Sequence, residues 1–161
     1  MSTTEFLIGE VAPETTLAVA REQVTTTSAK PIELDSTCSS DLQGVGTGAI
    51  SSGGNSYPFR LFVPPEFAGA RLPLVLNFHS LGADGTHQAD LTDYEDIAED
   101  EGFVVVHPSG LSIEAGLGVP GDFSPSWEIA HFDTDVRDDV RFVRDLIEQI
   151  TSITCIDPDR I

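Results

Sequence analysis

The chain has 161 residues, 40% of them hydrophobic, which is enough for one domain of ordinary size with its own core. Eight Lys and Arg against 27 Asp and Glu leave a formal net charge of −19, which repels phosphate backbones and anionic bilayers and argues against nucleic-acid and membrane partners. No stretch approaches the roughly 18 apolar residues of a membrane-spanning helix, and Phe6-Leu7-Ile8 is followed at once by Gly9-Glu10, so secretion is not read from a signal-peptide pattern.

Residues 1–40 are rich in Thr, Ser, Glu and Ala with scattered apolar side chains, and read as a mobile leader or linker. The alternative is one loose helix over 14–24 with Leu17, Ala20 and Val24 on a face, against which the threonines weigh. The folded domain is expected over 41–161. Residues 45–50, the turn Ser51-Ser52-Gly53-Gly54, and Tyr57, Phe59, Leu61 and Val63 at period two predict a hairpin, which Pro58 and Pro64 place at a sheet margin.

Residues 73–78 are apolar on both faces, as suits a strand covered by helices on each side. Asp84 or Thr86 can cap a helix running to about Glu101, with Leu91, Tyr94, Ile97 and Ala98 on one face and Gly102 ending it. Phe103-Val104-Val105-Val106 repeats the buried strand and Pro108 closes it, so strand, helix and strand predict a right-handed βαβ unit. The segment 109–133, rich in Gly and Pro and holding Trp127, is too long for a simple connection. A second helix is expected from about Thr134, with Asp135, Asp138 and Asp139 in its first turns and Val136, Val140, Val143, Ile147 and Ile150 inward. Residues 155–161 then turn toward another strand. The fold class is α/β.

PFRLFVPPEF, RLPLVLNFHSLGADG, DEGFVVVHPSG, DDVRFVRDLI and CIDPDRI, in that order, resemble the secreted polyhydroxybutyrate depolymerase, feruloyl esterase and acetylxylan esterase group of α/β-hydrolases over about residues 45–161. The resemblance implies the N-terminal portion of an α/β-hydrolase fold: an antiparallel hairpin, then parallel strands with crossover helices, the second buried strand lying between the hairpin and the first. It also implies a Gly-x-Ser-x-Gly nucleophile elbow right after Asp-Pro-x-Arg-Ile, and no such segment occurs in these residues. The Ser, Asp and His of the triad are therefore expected beyond Ile161, within a protein of roughly 250 residues, and the chain is expected to be a truncated front part, inactive alone. Carboxylic esters are the implied substrates, polyester and plant cell-wall polysaccharide included. The implied location is extracellular, and no cofactor or metal is called for.

By the same resemblance, His79-Ser80-Leu81-Gly82 carries half of an oxyanion hole, with the N–H of Leu81, then that of Ser80, as donors and His79 in a supporting hydrogen-bond role. Ser80 stands where Gly is commoner, so the turn must tolerate a Cβ. Read without the resemblance, His79 is a polar strand terminus. Trp127 aligns with an aromatic residue that the family places near the active-site mouth, a substrate-binding position; core packing under the loop is the other reading.

His107 reads as a satisfied rim residue, His87 as part of a first helical turn and His131 as a loop residue beside acids. Ser109 and Ser112 follow a strand's C-terminal end but lack elbow glycines. Asp133, Asp135, Asp138 and Asp139 lack the spacing of a calcium loop and read as a solvated helix start. The resemblance implies that Cys155 pairs with a half-cystine further on and is unpaired here; a bridge to Cys38 and free buried thiols are the alternatives. The competing functional class is a non-catalytic module that binds a polymer or cations. Truncation before the elbow strand would leave 73–78 with an unpaired edge, which predicts poor solubility.

Overall fold

The structure, a computed structural model, describes residues 41–112, 125–127 and 138–161. The expectations for 1–40, Cys38, His131, Asp133, Asp135 and Val136 fall outside the described residues.

Strand β1 (Gly44–Ser52) and strand β2 (Asn55–Val63) form the expected hairpin, in antiparallel register from Gly44 opposite Val63 to Ser52 opposite Asn55. Gly53 and Gly54 both have positive φ, 57° and 84°, as a two-residue turn matched to strand twist requires. The hairpin does not lie wholly at the margin. Strand β4 (Val104–Pro108) pairs antiparallel with β2, so β2 is interior and β1 is the edge of the order β1-β2-β4-β3. Pro58 is tolerated because its carbonyl, accepting from the Ser109 N–H at 2.8 Å, faces the side on which β4 ends at Pro108; a missing N–H there costs no ladder bond.

Strand β3 (Leu74–Leu76) is shorter than the 73–78 run and pairs parallel with β4, which lies between β3 and the hairpin as the resemblance implies. It is an edge strand, as expected, and among the described residues 155–160 engage that edge through the backbone only at Leu72 and Leu74. The Leu72 N–H donates to the Cys155 carbonyl, the Asp157 N–H to the Leu72 carbonyl and the Leu74 N–H to the Arg160 carbonyl, each at 2.8–2.9 Å. An Asp157–Arg160 ion pair at 2.7 Å holds that last turn. Cys155 is disulfide-bonded, which corrects the expectation that it is unpaired and sets aside the free-thiol alternative.

The anticipated single helix is two. Helix α1 (Gly85–Thr92) starts at Asp84, whose side chain accepts from the His87 N–H, and helix α2 (Tyr94–Glu101) ends at Gly102 with φ 74°. Between them Asp93 sits in the left-handed region at φ 49°, a conformation Asp tolerates better than most residues. Thr92 contributes to the break, since its hydroxyl bonds back to the Gln88 carbonyl at 2.9 Å. The bend turns Leu91, Tyr94 and Ile97 outward, and of the four residues expected inside only Ala98 is buried.

Helix α3 (Asp139–Ile153) begins at Asp138, which caps the Arg141 N–H. Its inner face is Phe142, Leu146 and Ile150 at spacing four, with Val143 packed beside them; of the expected row Ile150 and Val143 do face the core, whereas Val140 is 64% exposed. Helices thus cover both sheet faces. Ile50, Tyr57, Phe59, Leu61, Leu74, Val104 and Val106 pack with α3, while Phe62 and Val105 meet Ala98 of α2. None of the described helices is long and apolar enough to cross a membrane.

Candidate functional site

Parallel strands β3 and β4 end side by side, and the segments leaving them build the site, as ligands favour in open α/β sheets. Three short stretches meet there: 77–82 after β3, 109–111 after β4, and 125–127. The last two are tied by an antiparallel bridge between Leu111 and Ser126. Gly110 is obligatory at this meeting, because a Cβ there would stand 2.3 Å from the Ser126 carbonyl oxygen.

His79 is 3% exposed and bonded at both ring nitrogens. Nε2 accepts from the Gly110 N–H at 2.9 Å, so Nδ1, 2.8 Å from the Ser80 carbonyl oxygen, must carry the proton; the two partners define the tautomer. The neighbouring carbonyls are also occupied: the His79 oxygen accepts from the Trp127 indole N–H at 3.0 Å, and the Ser80 oxygen accepts from the Ala83 N–H at 3.1 Å. Gly82, at φ 77°, donates its N–H to Pro125 at 3.1 Å and closes the turn. The N–H groups of Ser80 and Leu81 make no hydrogen bond among the described residues, and both residues are exposed, Leu81 by 52%. Two consecutive backbone donors are therefore open to an acceptor, and the Ser80 side chain is accommodated in solvent.

Trp127 sits inside an aromatic column. Its ring lies 4.7 Å from His79, 5.8 Å from Phe142 in a near-parallel stack and 5.1 Å edge-on to Phe78, and Phe142 stacks on Tyr57 at 4.1 Å. Trp127 packs against the core while staying partly exposed, and Phe78 beside it, at 37% exposure, is the more open of the two rings.

Behind the turn, the α1/α2 face of the sheet carries a polar network that the sequence reading missed. Asn77 donates to the Thr92 hydroxyl at 2.8 Å, receives from Gln88 at 3.0 Å and lies 3.2 Å from His107 Nδ1. Arg60 makes a two-pronged contact with Glu95 at 2.6 and 2.7 Å and reaches Asp90 at 3.7 Å. His107 is fully buried rather than at a rim, and only half satisfied: Nε2 has no hydrogen-bond partner and lies 3.8 Å from Glu95. Burial pushes the His107 pKa below 6.5, with Arg60 adding to the effect and Glu95 opposing it. A neutral His107 follows at neutral pH.

Other expected positions are elsewhere or otherwise engaged. The Ser109 hydroxyl accepts from the Gly85 N–H at 3.0 Å and so caps the start of α1. Ser112 is exposed, and His87 lies exposed in the first turn of α1. Asp138 and Asp139 open α3, and among the described residues no group of three metal-ligating side chains occurs.

No family model matches the chain. Over 99 residues it is 29% identical to feruloyl esterase B of Piromyces equi, a stretch that is 61% of this chain and 17% of that protein. The chain thus spans a minor part of that relative's length, and over this stretch the likeness is to an esterase.

Proposed function

We propose that this chain supplies the oxyanion-binding part of a serine-type carboxylic ester hydrolase built on an α/β-hydrolase fold, of which it forms the N-terminal portion. The observation that carries the reading is the pair of unbonded, exposed N–H groups at Ser80 and Leu81, at the C-terminal end of a parallel strand. When a hydroxyl adds to an ester carbonyl, negative charge develops on the carbonyl oxygen, and fixed N–H donors about 3 Å from it lower the barrier without reorganising. Leu81 is the first donor and Ser80 the second. The nucleophile, its histidine and the orienting acid belong to residues outside this chain, and the acyl-enzyme forms there. The substrates are carboxylic esters of polyhydroxyalkanoate, feruloyl or acetyl-xylan type, polymeric ones included, and the working location is extracellular.

The test reads the transcript past the codon of Ile161 and assays the encoded protein on p-nitrophenyl acetate and methyl ferulate. A Gly-x-Ser-x-Gly segment is expected, with hydrolysis that Leu81→Pro, which deletes the N–H, lowers by roughly 10²- to 10³-fold while Leu81→Ala does not. A stop codon at that point, or a turnover indifferent to Leu81→Pro, would instead favour the non-catalytic binding module.

A further inference from the structure

The donors at Ser80 and Leu81 owe their direction to the carbonyls beside them. A trans peptide places the C=O of one residue and the N–H of the next on opposite sides of the chain in a single plane. Holding the His79 carbonyl therefore aims the Ser80 N–H, and holding the Ser80 carbonyl aims the Leu81 N–H. Each carbonyl is held by a side chain: the His79 oxygen by the Trp127 indole, and the Ser80 oxygen by the His79 ring together with the Ala83 N–H. The ring can donate to Ser80 only in one tautomer, and the Gly110 N–H at Nε2 enforces that tautomer. Trp127 stacks in turn on Phe142, on the buried face of α3, and Phe142 stacks on the buried ring of Tyr57.

We propose that Trp127 and His79 are positioning residues that lock two successive peptide planes, so that the Ser80 and Leu81 N–H groups face outward before any acceptor arrives. This rests on the esterase reading for its purpose, though not for its geometry. It reassigns Trp127 from a substrate-contacting aromatic to a brace acting through its indole N–H, and it makes Gly110 the remote selector of the His79 tautomer. A preset donor pair avoids the reorganisation that a free turn would undergo during reaction, and misplacement by about 1 Å can cost roughly 100-fold in rate.

The experiment is 1H–15N NMR of the chain itself, with activity measured in parallel on the protein that contains it. Trp127 is the one tryptophan in the sequence, so its indole signal is identified without ambiguity. The expected result is an indole N–H slow to exchange with solvent, His79 in the Nδ1–H form, a protected Gly110 amide, and sharp but fast-exchanging Ser80 and Leu81 amides. Trp127→Phe keeps the ring stack and removes the donor; it should move and broaden the Ser80 and Leu81 amides while far-UV circular dichroism stays unchanged. His79→Asn retains a donor for the Ser80 carbonyl and should spare Leu81 while unprotecting Gly110, whereas His79→Gln, able to accept from Gly110 but not to reach Ser80, should do the reverse. In the hydrolase, Trp127→Phe should lower kcat roughly 10- to 100-fold with KM little changed. A rapidly exchanging indole in the wild type, or Trp127→Phe spectra with the two amides unmoved, overturns the proposal. Amides that move as expected in a protein that hydrolyses no ester would leave the brace standing and sink the esterase reading instead.

Discussion

The two faces of the sheet are built from the same strands and solve opposite problems. The α3 face is mainly apolar: alternate residues of β2 and β4 meet Phe142, Leu146 and Ile150, the Tyr57–Phe142 stack sits at its centre, and the Ser52 hydroxyl donates to Asp145 at 2.6 Å at the end of β1. The α1/α2 face is apolar only where Phe62, Val105 and Ala98 meet, and further along it carries Arg60, Asn77, Gln88, Thr92, Glu95 and His107. The first face holds the domain together by burial, which is strong and indifferent to direction. The second depends on matched hydrogen bonds, so it fixes geometry and is sensitive to charge. Position matters as well, because Asn77 lies two residues before His79 and its N–H still belongs to the β3–β4 ladder, donating to Val106 at 2.9 Å.

Removing a ring from the apolar face should give the largest effect. Phe142 is fully buried between Tyr57 and Trp127, so Phe142→Ala loses transfer energy and leaves a cavity, at about 3–5 kcal/mol in urea unfolding. The loss should be the same in low and high salt. It should also loosen the Trp127 brace, which the indole exchange rate would report.

Next comes the place where α1 touches the sheet. Gly85 is the first residue of α1, and a Cβ built on it would lie 2.2 Å from the His107 carbonyl oxygen, a backbone atom with no room to yield. Ala favours a helix over Gly by about 1 kcal/mol, yet overpacking against a strand costs about 1–3 kcal/mol or more, so Gly85→Ala should be net destabilising. A melting temperature raised by this substitution would show that α1 stands further from β4 than the structure has it.

A smaller effect, of a different character, should follow from Glu95→Gln. Arg60 and Glu95 are 23% and 16% exposed at their side chains, between the surface pairs worth about 0–1 kcal/mol and charge-assisted bonds worth about 1.5–3 kcal/mol. About 1–2 kcal/mol is expected. Unlike the Phe142 effect, it should shrink in concentrated salt, and that contrast is the cleanest separation of the two faces.

What the residues disclosed before any coordinates follows the same division. Period-two apolar strands, the Gly53-Gly54 turn and the Asp84 cap are local signals, and each appears where local chemistry puts it, whereas Asp138, expected within the first turns of a helix, caps its start. The inward face of α3 was also local, since Phe142, Leu146 and Ile150 recur at spacing four; anchoring the pattern on Val136 reached Val143 and Ile150 but missed Phe142 and Leu146. The break at Asp93 was not local. It depends on Thr92 serving both the Gln88 carbonyl and Asn77 from β3. The bracket around His79 was out of reach for the same reason, because Gly110 and Trp127 lie 31 and 48 residues away and no spacing rule joins them.

The gentlest probe of the polar face is the proton itself. Burial holds the His107 pKa below its ordinary 6.5, with Glu95 opposing and Arg60 pushing the same way as burial. Between the lowered value and 6.5 the unfolded chain binds a proton that the folded one refuses, so stability falls as pH falls. The contribution is present above about pH 6.5 and drains away as pH falls through 6.5 toward the lowered value. Urea midpoints measured from about pH 7.5 down to about pH 5.5 should therefore decline, and His107→Gln, which keeps an amide near the Asn77 side chain but cannot titrate, should flatten that decline. The other histidines remain in both proteins, so only the difference between the two slopes belongs to His107. Identical slopes would mean that its ring takes up a proton as readily inside as out, and the unbonded Nε2 beside Glu95 would then have to be a donor to that carboxylate after all.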